Sequence, residues 1–279
     1  MKIPAPEFTA GENWIVRKDA LPWEDPKNPK MDFLILLLPN NKSRDYSQPL
    51  EKAFLLMDGA VEFTCKSEGK EEKYHAGPRK SIFDDDPWCL HVPSDTKVTI
   101  KNTSSQEKVA EIAIIMTPNE KTFPTSFYTP EQCRSEHRGQ GTMRETSTRI
   151  VRTIFDKSNA PDANLVLGEV INYPGKWSSY PPHHHPQPEI YHYRFFPEQG
   201  FGFSMLGDKA VQVRHGETVA IFDVVHSQTS APGYAMYYIW PIRHLDENPY
   251  GAEYGTPIFQ EEHLWVTKKE NESKIWPKK

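Results

Sequence analysis

Proline sets the first limit on this chain. Its 25 prolines outnumber its 15 glycines and are scattered over the whole length, and each one inside a helix removes a hydrogen bond and crowds the preceding turn. Few windows are left for a long helix, so short strands are the remaining solution. Phe33–Leu38, Ala53–Met57, Val98–Lys101, Ala110–Met116, Ala163–Ile171, Gly202–Leu206, Ala210–Val213, Glu217–Phe222 and Ala235–Trp240 are short, rich in β-branched or aromatic residues, and bounded by turn residues. The pattern predicts an all-β protein.

The two halves echo each other. Each reads as an apolar strand, a turn, a polar strand, a second turn and a final apolar strand, running AFLLMDGAVEFTC to EIAIIMTP in the first and GFSMLGDKAVQV to AMYYIWP in the second. In a chain of 279 residues this predicts two similar β domains, residues 1–137 and 138–279. Pro118–Thr148, rich in Thr, Ser, Pro and charge, reads as a solvated connection. Its Arg138-Gly139-Gln140-Gly141 is not expected to cradle phosphate, because neither a strand nor a helix pattern flanks it. The polar tail from Glu261 to Lys279 reads as a short helix or an extended arm on the surface, with Trp265 and Trp276 as its large apolar anchors and its last lysines solvated.

Composition excludes several classes of function. With 33 basic against 38 acidic side chains and no basic stretch, nucleic acid is not an expected partner. Phe33–Leu38 is far shorter than the roughly 20 apolar residues that span a bilayer, and MKIPAPEFTAGENW has no signal-type apolar stretch, so no membrane partner and a cytoplasmic location are expected. Cys65, Cys89 and Cys133 form no C-x-x-C pair and read as small buried hydrophobes.

The chemistry is concentrated in PPHHHPQPEIYHYRF. Alternate side chains of a strand share a face, so His183 and His185 project together while His184 turns away. Glu189 follows four residues later, across the Pro186-Gln187-Pro188 corner. A third imidazole is best supplied by His226, which follows the apolar strand Val219–Phe222. Three histidines and one glutamate from separate strands of a small barrel bind a divalent first-row metal and leave positions open for water or substrate. His192 is out of phase with Glu189 and stays off the metal. His215 reads as a turn residue, and His75, His91, His137, His244 and His263 as structural or solvated.

The spacing His183-x-His185-x3-Glu189, then His226, is the two-motif pattern of the cupin superfamily, which predicts a bicupin: two jelly-roll-like β-barrel domains. The runs GEVINYPGKWSSYPPHHH, EIYHYRFFPEQGFGF and HSQTSAPGYAMYY closely resemble the 5-deoxy-glucuronate isomerase family of bacterial inositol catabolism, relatives of the pectin-pathway uronate isomerases. The resemblance is strong over residues 138–240 and holds in outline before them. It implies metal ligands at His183, His185, Glu189 and His226, the four that spacing also selects, and a metal-free first domain. Two departures stand out: many members have a longer insert before the Glu, and often His where this chain has Tyr193.

The resemblance implies an aldose–ketose isomerase that converts 5-deoxy-D-glucuronate to 5-dehydro-2-deoxy-D-gluconate through a metal-stabilised enediol. Zinc is the expected ion, with manganese, iron, cobalt or nickel as alternatives. Tyr191 and Tyr193 share the Glu189 face and are the candidate proton-transfer residues. A carboxylate substrate needs a cation, for which Arg194 and Arg152 are candidates, with Arg149 on the same approach to the second domain. Alternation points Arg194 away from Glu189. The partner is a small sugar acid, and a homo-oligomer is compatible with an edge-rich β protein. A cupin dioxygenase and a non-catalytic sugar-binding cupin are the competing classes.

Overall fold

The computed structural model describes residues 1–67, 69–105 and 107–277; the terminal Lys278 and Lys279, expected as a solvated end, lie outside them. The chain divides into two compact units. One is Pro6–Cys133 with Ile154–Val166; the other is Met1–Ala5, Arg134–Thr153 and the chain from Leu167 onward. Among the described residues no helix is long and apolar enough to cross a membrane.

The first unit is organised by the 17-residue strand Glu51–Ser67. Its first part pairs antiparallel with Trp88–Val92 and Ala110–Thr117, its second with Lys70–Arg79 and Lys97–Asn102. Register shifts between Leu56 and Asp58 and between Gly59 and Val61 mark the changeover, as expected where a bulge bends a strand from one sheet into another. Gly59 has φ +90° and a Cβ there would lie 2.7 Å from Ser104 Oγ, so the turn needs glycine. The inward residues, among them Leu34, Leu36, Phe54, Leu56, Phe63, Leu90, Ile112 and Ile114, make an apolar core.

The second unit has two antiparallel sheets. The larger runs in the order Lys2–Ile3, Thr218–Ile221, Glu189–Phe196, Ala235–Ile239, Leu165–Asn172, Arg149–Phe155, Arg134–Arg138. The smaller is Lys209–Arg214, Phe201–Leu206, His226–Ser230, Trp177–His184, Ile258–Phe259. Inward residues of both sheets, Val151, Tyr191, Tyr193, Phe195 and Tyr238 from one and Val213 from the other, share a core. This is the all-β, two-barrel architecture that the proline pattern and the repeated strand order predict.

Two expectations are corrected. The connection Pro118–Thr148 is partly strand: Ser126–Tyr128 pairs with Trp88–Val92, and Arg134–Arg138 forms the edge of the larger sheet. Its sequence RSEHR is wholly exposed and polar, with Arg134, Glu136 and Arg138 charged, which protects an edge but gives it no hydrophobic signature. The tail winds into 3-10 turns at Glu261–Thr267 and Lys269–Lys274, and Trp265 and Trp276 are 44% and 85% exposed, so neither is an anchor. Asn271 is buried instead, its amide donating to the Trp265 carbonyl.

Candidate metal centre

The histidine strand Trp177–His184 runs antiparallel to His226–Ser230, with His183 directly opposite His226. His185 follows the end of that strand, the Pro186–Pro188 corner reverses the chain, and Glu189 opens the next strand. Alternation plus a tight corner therefore brings two imidazoles and a carboxylate to one end of the barrel. His185 Nε2 lies 3.2 Å and His226 Nε2 3.3 Å from Glu189 Oε2. These three side chains are buried, and their ligand atoms all lie within 4.8 Å of one another. His183 stands beside them, half-buried, its ring 4.5 Å from that of His226 and 6.4 Å from that of His185.

Each of the three rings is oriented by its other nitrogen. Nδ1 of His183 donates to the Pro181 carbonyl at 3.0 Å, that of His185 to Gln187 at 2.9 Å, and that of His226 to Val224 at 2.9 Å. A carbonyl only accepts, so each Nδ1 carries a hydrogen, and in the neutral ring that leaves the lone pair at Nε2. Two of those lone pairs face a carboxylate oxygen, and among the described residues the buried His226 Nε2 has no hydrogen-bond partner. Acceptors facing acceptors repel unless they share a cation. Ligand atoms about 2.1 Å from a common ion lie about 3.0 Å apart at a right angle and about 3.4 Å apart at the tetrahedral angle. The observed 3.2 and 3.3 Å fit that range.

Charge agrees with geometry. Burial would raise the Glu189 carboxyl, but positive charge placed at His185 and His226 Nε2 brings it down to about 2; with neutral rings that donate from Nδ1, that positive charge is what a shared cation supplies. Burial, reinforced by His226, pushes His183 down to about 3, so it stays neutral and able to ligate.

A polar layer lies next to the triad. Tyr193 donates to Gln228 Oε1 at 2.8 Å, Gln228 Nε2 donates to Ser179 Oγ at 2.7 Å, and Ser179 Oγ is 3.2 Å from the Tyr191 hydroxyl. The Tyr238 hydroxyl is 2.6 Å from Ser178 Oγ. Ser179 has φ +50° within the register shift between Ser178 and His183, a strained conformation for a side-chain-bearing residue that turns its hydroxyl to this network. The Tyr191 ring lies 5.9 Å from that of His226. Burial pushes the hydroxyls of Tyr191 and Tyr193 well above their ordinary value, so both stay protonated at neutral pH.

Ser178, Ser179, Gln228, Tyr238 and Tyr250 are absent from the sequence-derived set. Three had a signal: Gln228 is two residues from His226 and hence on its face, and the serines sit inside the SSYPPHHH run. Tyr250, with its ring 4.9 Å from His185, comes from an irregular segment and had none.

Arg194 and Arg152 are not brought to the centre. Arg194 pairs with Tyr237, whose hydroxyl donates to Glu169 Oε1 at 2.5 Å, and Arg152 Nη1 lies 3.4 Å from Glu169 Oε2. Alternation puts this buried group on the sheet face opposite Glu189 and Tyr191, so the structure does not bring either arginine to the triad. His192 is on that face too, fully buried, with Nδ1 2.9 Å from Thr218 Oγ1.

His184 also turns away, its Nδ1 2.8 Å from Asp223 Oδ1. His184→Ala is expected to keep its metal and its rate within about two-fold, because a half-exposed pair is worth at most about 1 kcal/mol. Metal content and turnover of the purified variant check this, and loss of the metal would put His184 in the ligand set.

Comparison with known proteins follows the same line. Residues 6–266 match the KduI/IolB family. The 5-deoxy-glucuronate isomerase of Geobacillus kaustophilus (strain HTA426) is 27% identical over 212 residues, covering 70% of this chain and 72% of that protein. The crystal structure of an IolB-like protein from Salmonella typhimurium LT2 superposes with a TM-score of 0.78 at 22% identity, covering 95% of this chain and 99% of that one. That of Lactobacillus farciminis oxalate decarboxylase, a formate complex, gives 0.65 at 9% identity, covering 95% and 88%. The shared architecture is the bicupin fold.

Proposed function

The chain belongs to the KduI/IolB family and is an isomerase, and we propose that it converts 5-deoxy-D-glucuronate to 5-dehydro-2-deoxy-D-gluconate in myo-inositol catabolism. The observation that carries this reading is the convergence of His185, Glu189 and His226, with imidazole lone pairs fixed toward one carboxylate oxygen. His183 completes the set. A divalent ion held there, zinc in this reading, supplies a Lewis acid that polarises a carbonyl and the hydroxyl next to it.

The protein's own groups handle the proton. Moving hydrogen between adjacent carbons requires a base that takes the proton from the hydroxyl-bearing carbon and returns it to the neighbouring one, and a donor for the oxygen that gathers charge in between. Tyr191 is protonated, beside the triad, and linked through Ser179 and Gln228 to Tyr193. It therefore acts as a donor to the developing oxygen charge, and the Ser179–Gln228–Tyr193 chain holds its hydroxyl in place. Tyr191→Phe is expected to lower kcat about 100-fold at unchanged metal content. Tyr193→Phe, one link further away, should lose about ten-fold. Tyr191→Phe turning over at the wild-type rate would exclude this role.

The reaction itself is tested by incubating metal-loaded protein with 5-deoxy-D-glucuronate under nitrogen and following the aldehyde proton by NMR. The signal should decay as the ketose forms, without oxygen. An aldehyde signal untouched with every divalent metal tried overturns the proposal.

A further inference from the structure

The inner face of the second unit carries a buried cation with no counter-ion among the described residues. Arg149 is in phase with Val151, which packs in the core with Tyr191, Tyr193 and Tyr238. It is 8% exposed and donates to the Ser147 carbonyl at 2.8 Å, the Ser147 hydroxyl at 2.9 Å, and toward the Tyr180 carbonyl at 3.4 Å. Among the described residues no Asp or Glu oxygen lies within 4.0 Å of it. Arg152, three residues on and facing the other way, has its carboxylate in Glu169.

A guanidinium out of water and without an anion weakens a fold, since its lost hydration is returned only in part by neutral carbonyls. Burial lowers the Arg149 pKa and the Tyr238 hydroxyl partly offsets that, yet an arginine stays charged at neutral pH. A ligand that comes and goes would supply the missing counter-charge. A guanidinium fork matches a carboxylate with two parallel hydrogen bonds.

Position selects which carboxylate. Tyr191 lies between the two features, its ring 5.9 Å from that of His226 on one side and 4.7 Å from that of Tyr238 on the other. Tyr238 in turn feels the charge of Arg149. An open-chain aldose acid has its aldehyde at one end and its carboxylate at the other, so the triad and Arg149 suit opposite ends of one molecule. We propose that Arg149 receives the carboxylate of the sugar-acid substrate and sets the preference for acids over neutral aldoses. This rests on the isomerase reading of the same pocket.

The test compares 5-deoxy-D-glucuronate with neutral 5-deoxy-D-glucose, by calorimetric titration of metal-loaded and metal-free protein and by turnover. In Arg149→Gln, Kd and KM for the acid should rise by one to two orders of magnitude, with the neutral sugar unaffected and kcat for the acid little changed. Arg149→Lys, which keeps the charge but not the fork, should fall between and carries the test if the glutamine variant does not fold. Equal losses on both sugars, or none on the acid, would overturn the assignment. If wild-type protein turns over neither sugar, the isomerase reading fails; acid binding that still depends on Arg149 would uphold this inference, and binding indifferent to it, or absent, would not.

Discussion

His226→Ala is expected to give a folded protein that holds no stoichiometric metal and isomerises at least about 10³-fold more slowly, because a Lewis-acid reaction without its ion keeps little of its rate. His226 is the one triad member from outside the His183–Glu189 segment, so its removal leaves ligands from a single corner. Its ring is held by the Val224 carbonyl and fully buried. The cavity left costs roughly 2–4 kcal/mol by analogy with other large-to-small changes. That is a loss a 279-residue chain with two separate cores can absorb. Elemental analysis for metal and near-ultraviolet circular dichroism for packing separate the two effects. A variant that keeps one ion per chain would show that the centre lies elsewhere.

Much of this was legible in the sequence for reasons that are local. Proline punctuation and β-branched runs report backbone preference directly, so the nine expected strands were found. His185 and Glu189 lie together because a three-residue corner is geometry that sequence states outright. What stayed hidden depends on partners distant in the chain. Arg134–Arg138 is a strand only because Arg149–Phe155 accepts its hydrogen bonds, and Tyr250 reaches His185 from an irregular loop. The choice among arginines shows the boundary well. Arg149 and Arg152 are three apart on one strand and so face opposite ways, but which face is the inner one follows from sheet packing, which alternation alone does not supply.

Glu189→Gln tests the physical premise of the centre, because it removes charge and keeps shape. In wild-type protein without metal, the Nε2 lone pairs of neutral His185 and His226 face a carboxylate oxygen at 3.2 and 3.3 Å, an arrangement that a cation relieves. With glutamine, the amide N–H can donate to one of those lone pairs, so the cation is no longer needed. Metal affinity should fall by at least about 100-fold and turnover with it, since loss of an anionic ligand weakens the site and restores acceptor–donor pairing without an ion. Stability should respond in the opposite sense. Wild-type protein at free metal of about 100 times Kd gains about 2.7 kcal/mol, a rise in Tm of roughly 5–10 °C. Glu189→Gln should show no such rise, while its metal-free Tm equals or exceeds that of metal-free wild type. Thermal unfolding of both proteins, with and without chelator, reads all four values. A metal-free variant melting several degrees below metal-free wild type would mean that Glu189 is paired with a charged imidazole as a structural ion pair, and the lone-pair argument for a metal would fall.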